Sequence, residues 1–343
     1  MHTTSTFICQ HQGRDVFVFT LRNSQGMTID LTNYGGIIQA IKVPNKEGNL
    51  VDVVLGFDNV SDYWSEEYLQ NYPYFGALIG RYANRIAQGQ FSIDEKKYQL
   101  STNAGKHQLH GGLEGFDKKV WEVLASSKQE VLLQYESKDG EEGFPGNVRI
   151  QLRFSLSDAN ELTLLMTAQS DQATPLNLTH HGYFNLEGSG HIGSHQLQIA
   201  ATHILVQDAD LVPTGVLKAV EGSAHDFTQP KAIAADWDTT IGYDQTFVLN
   251  ALHTTEAAAK VYAPQSGICM ELFTNQPAIQ FYTAKHLAEI KGKNEVQYGP
   301  FTAFCLEDQV QPDAVNHPHF PNTILRPGET YRHETRYVFF VRA

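Results

Sequence analysis

Apolar and polar residues alternate along many short segments of this chain. In Val148–Leu156 (VRIQLRFSL), apolar residues at positions 148, 150, 152 and 154 fall on one face, and arginine and glutamine residues fall on the other. A two-residue period is typical of a strand with one buried face. Comparable runs, bounded by turn residues, predict further strands at Asp15–Leu21, Met27–Leu31, Val51–Gly56, Glu130–Tyr135, Glu161–Thr167, Gln196–Ala200, Ile268–Thr274 and Thr330–Val341.

The segments between these runs predict turns more often than helices. Ser155–Leu164 has the pattern of a hairpin, with its turn at residues 158–160 (Asp-Ala-Asn). Helical patterns are few and short, at Ser61–Gln70 and at Gln229–Trp237, where Pro230 lies near the predicted N-terminus. Strands do not alternate with long helices, which disfavours a parallel βαβ sheet. We predict an all-β fold, one large antiparallel β-sandwich with few short helices, formed by a single domain over residues 1–343.

Composition restricts the partners more than the fold. The chain is 41% hydrophobic and 18% charged, which is ordinary for a globular protein. Its formal net charge of −13 repels nucleic acid and anionic lipid, and it does not attract phosphorylated or carboxylated substrates. We therefore expect a small neutral ligand, with no nucleic-acid partner and no membrane partner.

The cysteines and the apolar stretches indicate the compartment. Cys9, Cys269 and Cys305 are far apart and odd in number, which argues against a disulfide framework and against a thiolate zinc site. No apolar stretch approaches the ~20 residues that span a bilayer. The first fifteen residues lack the apolar core of a signal peptide. We expect a reduced, cytoplasmic protein.

Polar clusters interrupt several apolar or glycine-rich segments. Taken alone, each has a structural explanation: Asn84 and Arg85 capping a turn, His110 filling the core beside a Gly-Gly turn, Asp244 forming an Asx turn. Glu307 follows an apolar run, where an unpaired carboxylate is costly to bury, and an exposed strand end explains it equally well. The clusters are GRYANRI (80–86), LHGG (109–112), NLTHHGYFNL (177–186), YDQTFVL (243–249), IQFYTA (279–284) and FCLEDQVQP (304–312).

Nearly the whole chain resembles the galactose mutarotase (aldose 1-epimerase) family. The resemblance implies an antiparallel β-supersandwich with the sugar in an open cleft, and it implies no metal and no organic cofactor. The activity it implies is interconversion of the α and β anomers of a free aldohexose such as galactose or glucose. Besides GRYANRI and LHGG, the matching runs are NYGG (33–36), VVLGFD (53–58), GFDKKVW (115–121), DGEEGFPGNV (139–148), HGYFNL (181–186), VPTG (212–215), YDQTF (243–247), IQFYT (279–283), FCLEDQ (304–309), PDAVNHP (312–318) and LRPGETY (325–331).

The resemblance also implies roles for individual residues. Glu307 corresponds to the catalytic base and His181 to the catalytic acid of the family. The positions that contact the sugar correspond to Asn84, Arg85, His110, Tyr183, Asp244 and Gln280.

These residue types suit the chemistry. Opening a hemiacetal ring requires a base beside O1 and an acid beside O5, held by one rigid scaffold. With reference pKa values of ~4.3 for Glu and ~6.5 for His, Glu307 is expected to be ionised near neutral pH and His181 to carry or release a proton there. Charged partners such as Arg85 and Asp244 form the stronger hydrogen bonds to sugar hydroxyls.

Three other functions stay open at this stage. The histidines suggest a cupin-like metal enzyme, although HIGSH (191–195) has the composition of a loop. A non-catalytic sugar-binding module would explain Arg85 and Asp244 without needing both His181 and Glu307. A relative acting on hexose 6-phosphates would require more cations, for which Arg81 and Arg85 are the candidates.

Five positions depart from the family pattern, and they leave the preferred sugar open, including a disaccharide. The oligomeric state, monomer or weak homodimer, and the pathway are also left open. The departures are His180, Gly182, Gln245, Thr246 and Gln311.

Overall fold

The computed structural model describes residues 5–238 and 240–342, so the predicted domain limits at 1 and 343 lie outside the described residues. Within this part of the chain, short strands dominate. The strands are β1 (Ser5–His11), β2 (Arg14–Arg22), β3 (Thr28–Thr32), β4 (Ile38–Pro44), β5 (Leu50–Asp52), β6 (Leu78–Ile79), β7 (Arg85–Ile86), β8 (Gln90–Ile93), β9 (Lys96–Gln99), β10 (Gln108–Leu109), β11 (Glu122–Ser126), β12 (Glu130–Ser137), β13 (Val148–Leu156), β14 (Glu161–Ser170), β15 (Thr174–Pro175), β16 (Thr179–His180), β17 (Gln196–Ile199), β18 (Ala201–Gln207), β19 (Pro213–Ala219), β20 (Lys231–Ala232), β21 (Asp244–Leu249), β22 (Ala259–Tyr262), β23 (Ile268–Thr274), β24 (Ala278–Tyr282), β25 (Ile290–Lys291), β26 (Gln297–Tyr298), β27 (Cys305–Gln309), β28 (Ile324–Leu325) and β29 (Tyr331–Val341).

Helical structure is limited to single turns. Among the described residues, no helix has the length and apolar character needed to cross a membrane. The α-helix α1 spans Glu66–Gln70, and 3₁₀ turns cover Val60–Trp64, Ala87–Gly89, Phe116–Lys118, Glu141–Gly143, Ile192–Ser194, Lys293–Glu295 and Ala314–Asn316.

Three large antiparallel sheets form the framework. The largest has nine strands in the order β11-β12-β13-β14-β29-β23-β22-β17-β20. One five-stranded sheet has the order β1-β2-β3-β4-β5, and the other has the order β19-β18-β21-β24-β27. Every strand pair between these neighbours is antiparallel, as the alternating pattern predicts. The all-β supersandwich fold is confirmed.

One continuous apolar cluster joins the three sheets. In β13, Val148, Ile150, Leu152 and Phe154 are fully buried, while the residues between them are at least partly exposed. They belong to the same cluster as Ile29 of one five-stranded sheet and other residues of the second, among them Phe247, Ile279 and Phe281. Burying a side chain of this size contributes about 1.5–3 kcal/mol, so the inward faces of the strands hold the sheets together.

The strand predictions are largely confirmed, and one helix prediction is wrong. β13 and β23 begin and end at the predicted residues, and the helix predicted at Ser61–Gln70 is present as a 3₁₀ turn followed by α1. Of the strand predicted at Val51–Gly56, only Val51 and Asp52 belong to a strand, β5, which begins at Leu50. Gln229–Trp237 is not helical, because Lys231–Ala232 pairs with β17 at the edge of the large sheet. The ammonium group of Lys231 donates a hydrogen bond to the carboxylate of Asp236. Backbone pairing with a sheet edge outweighed the local helix signal.

β27 is the strand that organises the candidate site. It lies at the edge of its sheet, where Gln280 of β24 is directly opposite Glu307. On its other side, Phe184 and Phe304 exchange two backbone hydrogen bonds of 2.7 and 2.9 Å. Continuing this antiparallel register from the 184–304 pair brings His181 beside Glu307. Residues 280, 307 and 181 therefore come together because of strand pairing, although they are far apart in the sequence.

Candidate active site

An open cavity of about 240 Å³ lies over the end of this sheet. All eight residues predicted for the site line it, although they come from six separate stretches of the chain. They are Asn84, Arg85, His110, His181, Tyr183, Asp244, Gln280 and Glu307.

Glu307 lies at the floor of the cavity. Its side chain is 2% exposed, and its Oε1 atom lies 3.7 Å from Nε2 of His181. Its Oε2 atom is buried and has no hydrogen-bond partner among the described residues. A buried carboxylate oxygen without a partner is costly to maintain, so it marks a position where a ligand hydroxyl is expected to bind.

Stacked aromatic rings hold the imidazole of His181. The Tyr183 ring stacks on one side at 5.1 Å between centroids, and the Tyr74 ring lies nearly parallel at 5.8 Å. Sγ of Cys305 lies 3.7 Å from Nδ1 of the same imidazole. The backbone N–H of His181 donates to Ala77 at 2.9 Å, which fixes the start of the segment. The imidazole therefore presents Nε2 to Glu307 in a defined orientation.

Hydrogen bonds between side chains of two neighbouring strands, β21 and β24, fix the carboxylate of Asp244. Thr246 donates from its hydroxyl to Oε1 of Gln280 at 2.5 Å, and Nε2 of Gln280 donates to Oδ1 of Asp244 at 2.5 Å. The threonine hydroxyl thus determines which way the glutamine amide points. Thr246 is one of the departures from the family pattern, and in this chain it supports two predicted sugar contacts.

The motifs GRYANRI and LHGG pack against each other. Both Asn84 (φ 63°) and His110 (φ 51°) have left-handed backbone conformations, and the N–H of His110 donates to the Asn84 carbonyl at 3.0 Å. The N–H of Asn84 donates to Nδ1 of His110 at 3.3 Å, so Nδ1 is an acceptor and the neutral ring carries its hydrogen on Nε2. A Cβ atom at position 111 would collide with the carbonyl oxygen of Gly80, so this position requires glycine. His110 is thereby fixed as a hydrogen-bond donor.

The two arginines of GRYANRI have different environments. Arg81 is buried and away from the cavity, and its guanidinium donates to Ser137, Thr174 and several backbone carbonyls. Arg85 lines the cavity and faces Asp244, and its guanidinium makes no side-chain hydrogen bond within residues 5–238 and 240–342. One arginine instead of two is therefore available to a ligand, which removes half of the cationic site that a hexose 6-phosphate would require.

Burial shifts the pKa values of the proposed acid and base toward their neutral forms. Burial, reinforced by the carboxylates of Asp244 and Asp308, raises the pKa of Glu307 well above its usual value. Burial lowers the pKa of His181 to about 3. The pKa of His110 is also lowered, by burial first and then by His181 and Arg85. Both shifts favour the neutral form of each group, whereas the reference pKa of glutamic acid predicts an ionised Glu307.

The sequence assigned no role to the residues that form the rim of the cavity, although one of them, Tyr282, lies in the run IQFYTA. Tyr72, Tyr74, Leu211, Tyr282 and His286 all line it. The sequence signal for these residues is weak: the run YPY at 72–74 is an aromatic cluster separated by five residues from the start of GRYANRI. Tyr74 has a left-handed backbone (φ 60°), which turns its ring toward His110 and His181.

Comparison with known proteins identifies the family of this chain. The aldose 1-epimerase family model matches residues 18–338. The chain belongs to the aldose 1-epimerase family. It is accordingly an isomerase that interconverts the anomers of aldoses.

Individual relatives cover this chain almost completely. The galactose mutarotase of Bos taurus is 42% identical over 328 residues, which are 94% of each chain. The aldose 1-epimerase of Escherichia coli K12 is 35% identical over 337 residues, 95% of this chain and 96% of the relative. A crystal structure of an aldose epimerase homologue from C. elegans superposes with a TM-score of 0.89 at 30% identity, covering 95% of this chain and 99% of the other.

Three residues of the site are of types that bind metal ions in proteins. His110, His181 and Glu307 each offer one ligand atom, and these atoms lie within 4.8 Å of one another. Zinc bonds of about 2.0–2.2 Å in a tetrahedron place the ligand atoms roughly 3.4 Å apart. The distance of 3.7 Å between Nε2 of His181 and Oε1 of Glu307 is larger than this spacing, so the two atoms would have to move closer together to bind one zinc ion.

Proposed function

We propose that this chain equilibrates the anomers of a free neutral aldohexose, with Glu307 and His181 exchanging protons with the sugar. The observation that carries the proposal is the 3.7 Å approach of Nε2 of His181 to Oε1 of Glu307 at the floor of the cavity. The anomeric O1 and the ring O5 are bonded to the same carbon. A donor and an acceptor this close together are able to serve both oxygens at once.

The proton steps balance without any other reactant. Glu307 removes the proton of the O1 hydroxyl while His181 gives a proton to O5, which breaks the C1–O5 bond and leaves an open-chain aldehyde. After rotation about C1–C2, the transfers reverse: His181 takes the O5 proton, O5 attacks C1, and Glu307 returns a proton to O1. The two protonation states of the pair differ by one proton transfer between its members.

The shifted pKa values support this cycle. The state favoured by burial has a neutral Glu307 and a neutral His181, and it is the state that the pair has while the sugar is open-chain. The charged state, which starts ring opening, is the one that burial disfavours. Hydroxyls of the bound sugar replace water around both groups and supply the hydrogen bonds that Oε2 of Glu307 lacks.

The remaining residues are proposed to bind the sugar at positions other than C1. Arg85 and Asp244 carry opposite charges on one wall, and Gln280 and Asn84 add amide groups. Gripping the other hydroxyls leaves C1 free to rotate between opening and closure. His110, as a donor from Nε2, is proposed to assist at O5 or to bind a neighbouring hydroxyl.

We also propose that the enzyme works in the cytoplasm as a monomer or weak homodimer without a nucleic-acid or membrane partner. The net charge of −13 supports the absence of anionic partners. It also favours a neutral sugar over a hexose 6-phosphate, as does the location of Arg81 outside the cavity.

Polarimetry tests the proposed function directly. Freshly dissolved α-D-galactose and α-D-glucose should reach rotational equilibrium faster with the protein than without it, because the spontaneous reaction lacks a positioned acid and base. Maltose and glucose 6-phosphate complete the panel, and the metal content of the same sample is measured by mass spectrometry. A rate equal to that of buffer with every sugar would indicate a non-catalytic binding module. Preference for the 6-phosphate, or activity proportional to bound metal, would contradict the mechanism.

The rate should depend on pH as a broad bell. The active pair holds one proton, and a second proton adds to it only as the pH falls toward about 3, the lowered pKa of His181. The shared proton is lost only at high pH, because the pKa of Glu307 is raised. The basic limb should therefore lie above ~6.5, the pKa of a free histidine, instead of being centred there. Initial rates across the pH range, corrected for the uncatalysed reaction, measure this. A basic limb centred near 6.5 would mean that the pair keeps its solution pKa values.

A further inference from the structure

A second buried polar cluster lies on the face of β27 opposite the cavity. Asp308 follows Glu307, so its side chain points between the sheets, where it is 0% exposed. Its Oδ2 atom accepts hydrogen bonds from Nε2 of His333 at 2.7 Å and from the hydroxyl of Thr335 at 2.8 Å. The hydroxyl of Thr274 donates to the same oxygen. The second five-stranded sheet is thus joined to β23 and β29 of the nine-stranded sheet directly behind the proposed base.

The same cluster reaches the segment that carries His181. Nδ1 of His333 lies 3.3 Å from the hydroxyl of Tyr331, which accepts from the backbone N–H of Leu178 at 3.1 Å. Leu178 is three residues before His181. A continuous chain of hydrogen bonds therefore runs from the residue next to the base to the segment of the acid.

This cluster is more polar than packing requires. A carboxylate between two apolar sheets is costly to bury, and a well-packed apolar side chain in its place is often as stable or more so. Burial alone would raise the pKa of Asp308, but His333 and the two threonine hydroxyls outweigh it and hold that pKa below its usual value. The group therefore stays negatively charged at neutral pH, one residue from Glu307.

We infer that Asp308 is a positioning residue for the acid–base pair: through His333 and Tyr331 it fixes the segments that carry Glu307 and His181, and its charge keeps the shared proton on Glu307. The inference rests on the proposed roles of Glu307 and His181. Nearby titratable groups enter the same balance. Around Glu307 they are His181, Asp244, Cys305, Tyr183, Tyr282 and Tyr337, and around Asp308 they are Glu307, His180, His333, Tyr331 and Tyr337.

The direction of the effect follows from charge. Asp308→Asn removes a negative charge behind Glu307, so the ionised form of Glu307 becomes easier to reach and the pair loses its proton at lower pH. For two charges in a protein interior, this moves the basic limb of the rate profile down by about one unit. At a fixed pH on that limb, the rate falls about tenfold. Asp308→Ser removes the same charge with a smaller side chain and carries the same expectation.

The matched control is Thr335→Val, which removes a hydrogen bond from the same cluster without changing its charge. Full rate profiles of wild type and the three variants are measured by polarimetry, alongside thermal unfolding. A downward shift of the basic limb in Asp308→Asn or Asp308→Ser, with no shift in Thr335→Val, supports the inference.

Three results would overturn it: an unmoved profile in folded Asp308 variants, an equal shift in Thr335→Val, or loss of the fold in both Asp308 variants, which would make the carboxylate a purely structural tie. These results differ from failure of the proposed function, because that failure would leave the wild-type protein itself without mutarotase activity.

Discussion

Glu307→Gln is expected to lower the catalysed mutarotation rate by about 10²–10⁴-fold, the range of a lost general base. Glutamine keeps the size of the side chain and one oxygen toward His181, but it cannot accept the O1 proton or return it. The variant should remain folded, because the wild-type group is favoured in its neutral form by burial, and an amide is neutral as well. Polarimetric rates measure the loss, and a calorimetric titration with galactose or glucose measures retained binding.

A matched carboxylate distinguishes this effect from a general loss of charge. Glu122 lies exposed on β11, the edge strand of the large sheet, and Glu122→Gln should keep the wild-type rate. If Glu307→Gln retains activity within a few-fold of wild type while Glu122→Gln does so too, Glu307 is not the base.

His181→Asn should be nearly as severe, again by about 10²–10⁴-fold, because the pair then has no partner that carries the proton to O5. The structure separates this histidine from the other one in the cavity. Nε2 of His181 faces the carboxylate of Glu307, whereas Nδ1 of His110 is occupied by the backbone N–H of Asn84. His110 therefore offers one donor and no free acceptor, which suits a group that assists.

His110→Asn is the comparison for this experiment. Asparagine is able to donate a hydrogen bond, so the variant should lose less activity than His181→Asn when both are measured at the same pH and sugar concentration. A larger loss at His110 than at His181 would exchange the two assignments. Circular dichroism of both variants checks that the strand-rich fold is retained.

Several parts of the molecule followed from local patterns. The alternation in β13 predicted its limits because a strand with one buried face must place apolar residues two apart, whatever lies beyond it. The incorrect helix prediction at Gln229–Trp237 shows the limit of local patterns. Lys231–Ala232 in this segment pair with β17, which is distant in the sequence and so lies outside any short sequence window. All eight predicted site residues line one cavity, but their individual roles stay predictions.

The sequence by itself determined the strand-rich architecture and, through the family resemblance, the set of residues around the cavity. Only the tertiary structure decided their electrostatics. Removal of water raises the pKa of Glu307 and lowers that of His181, which the reference pKa values of the free side chains do not contain. It also decided that Arg81 is used internally, and that Tyr74 and Asp308 lie on either side of the acid–base pair. The physical reason is that strand alternation is a local property, whereas solvation and charge at a site depend on every element packed around it.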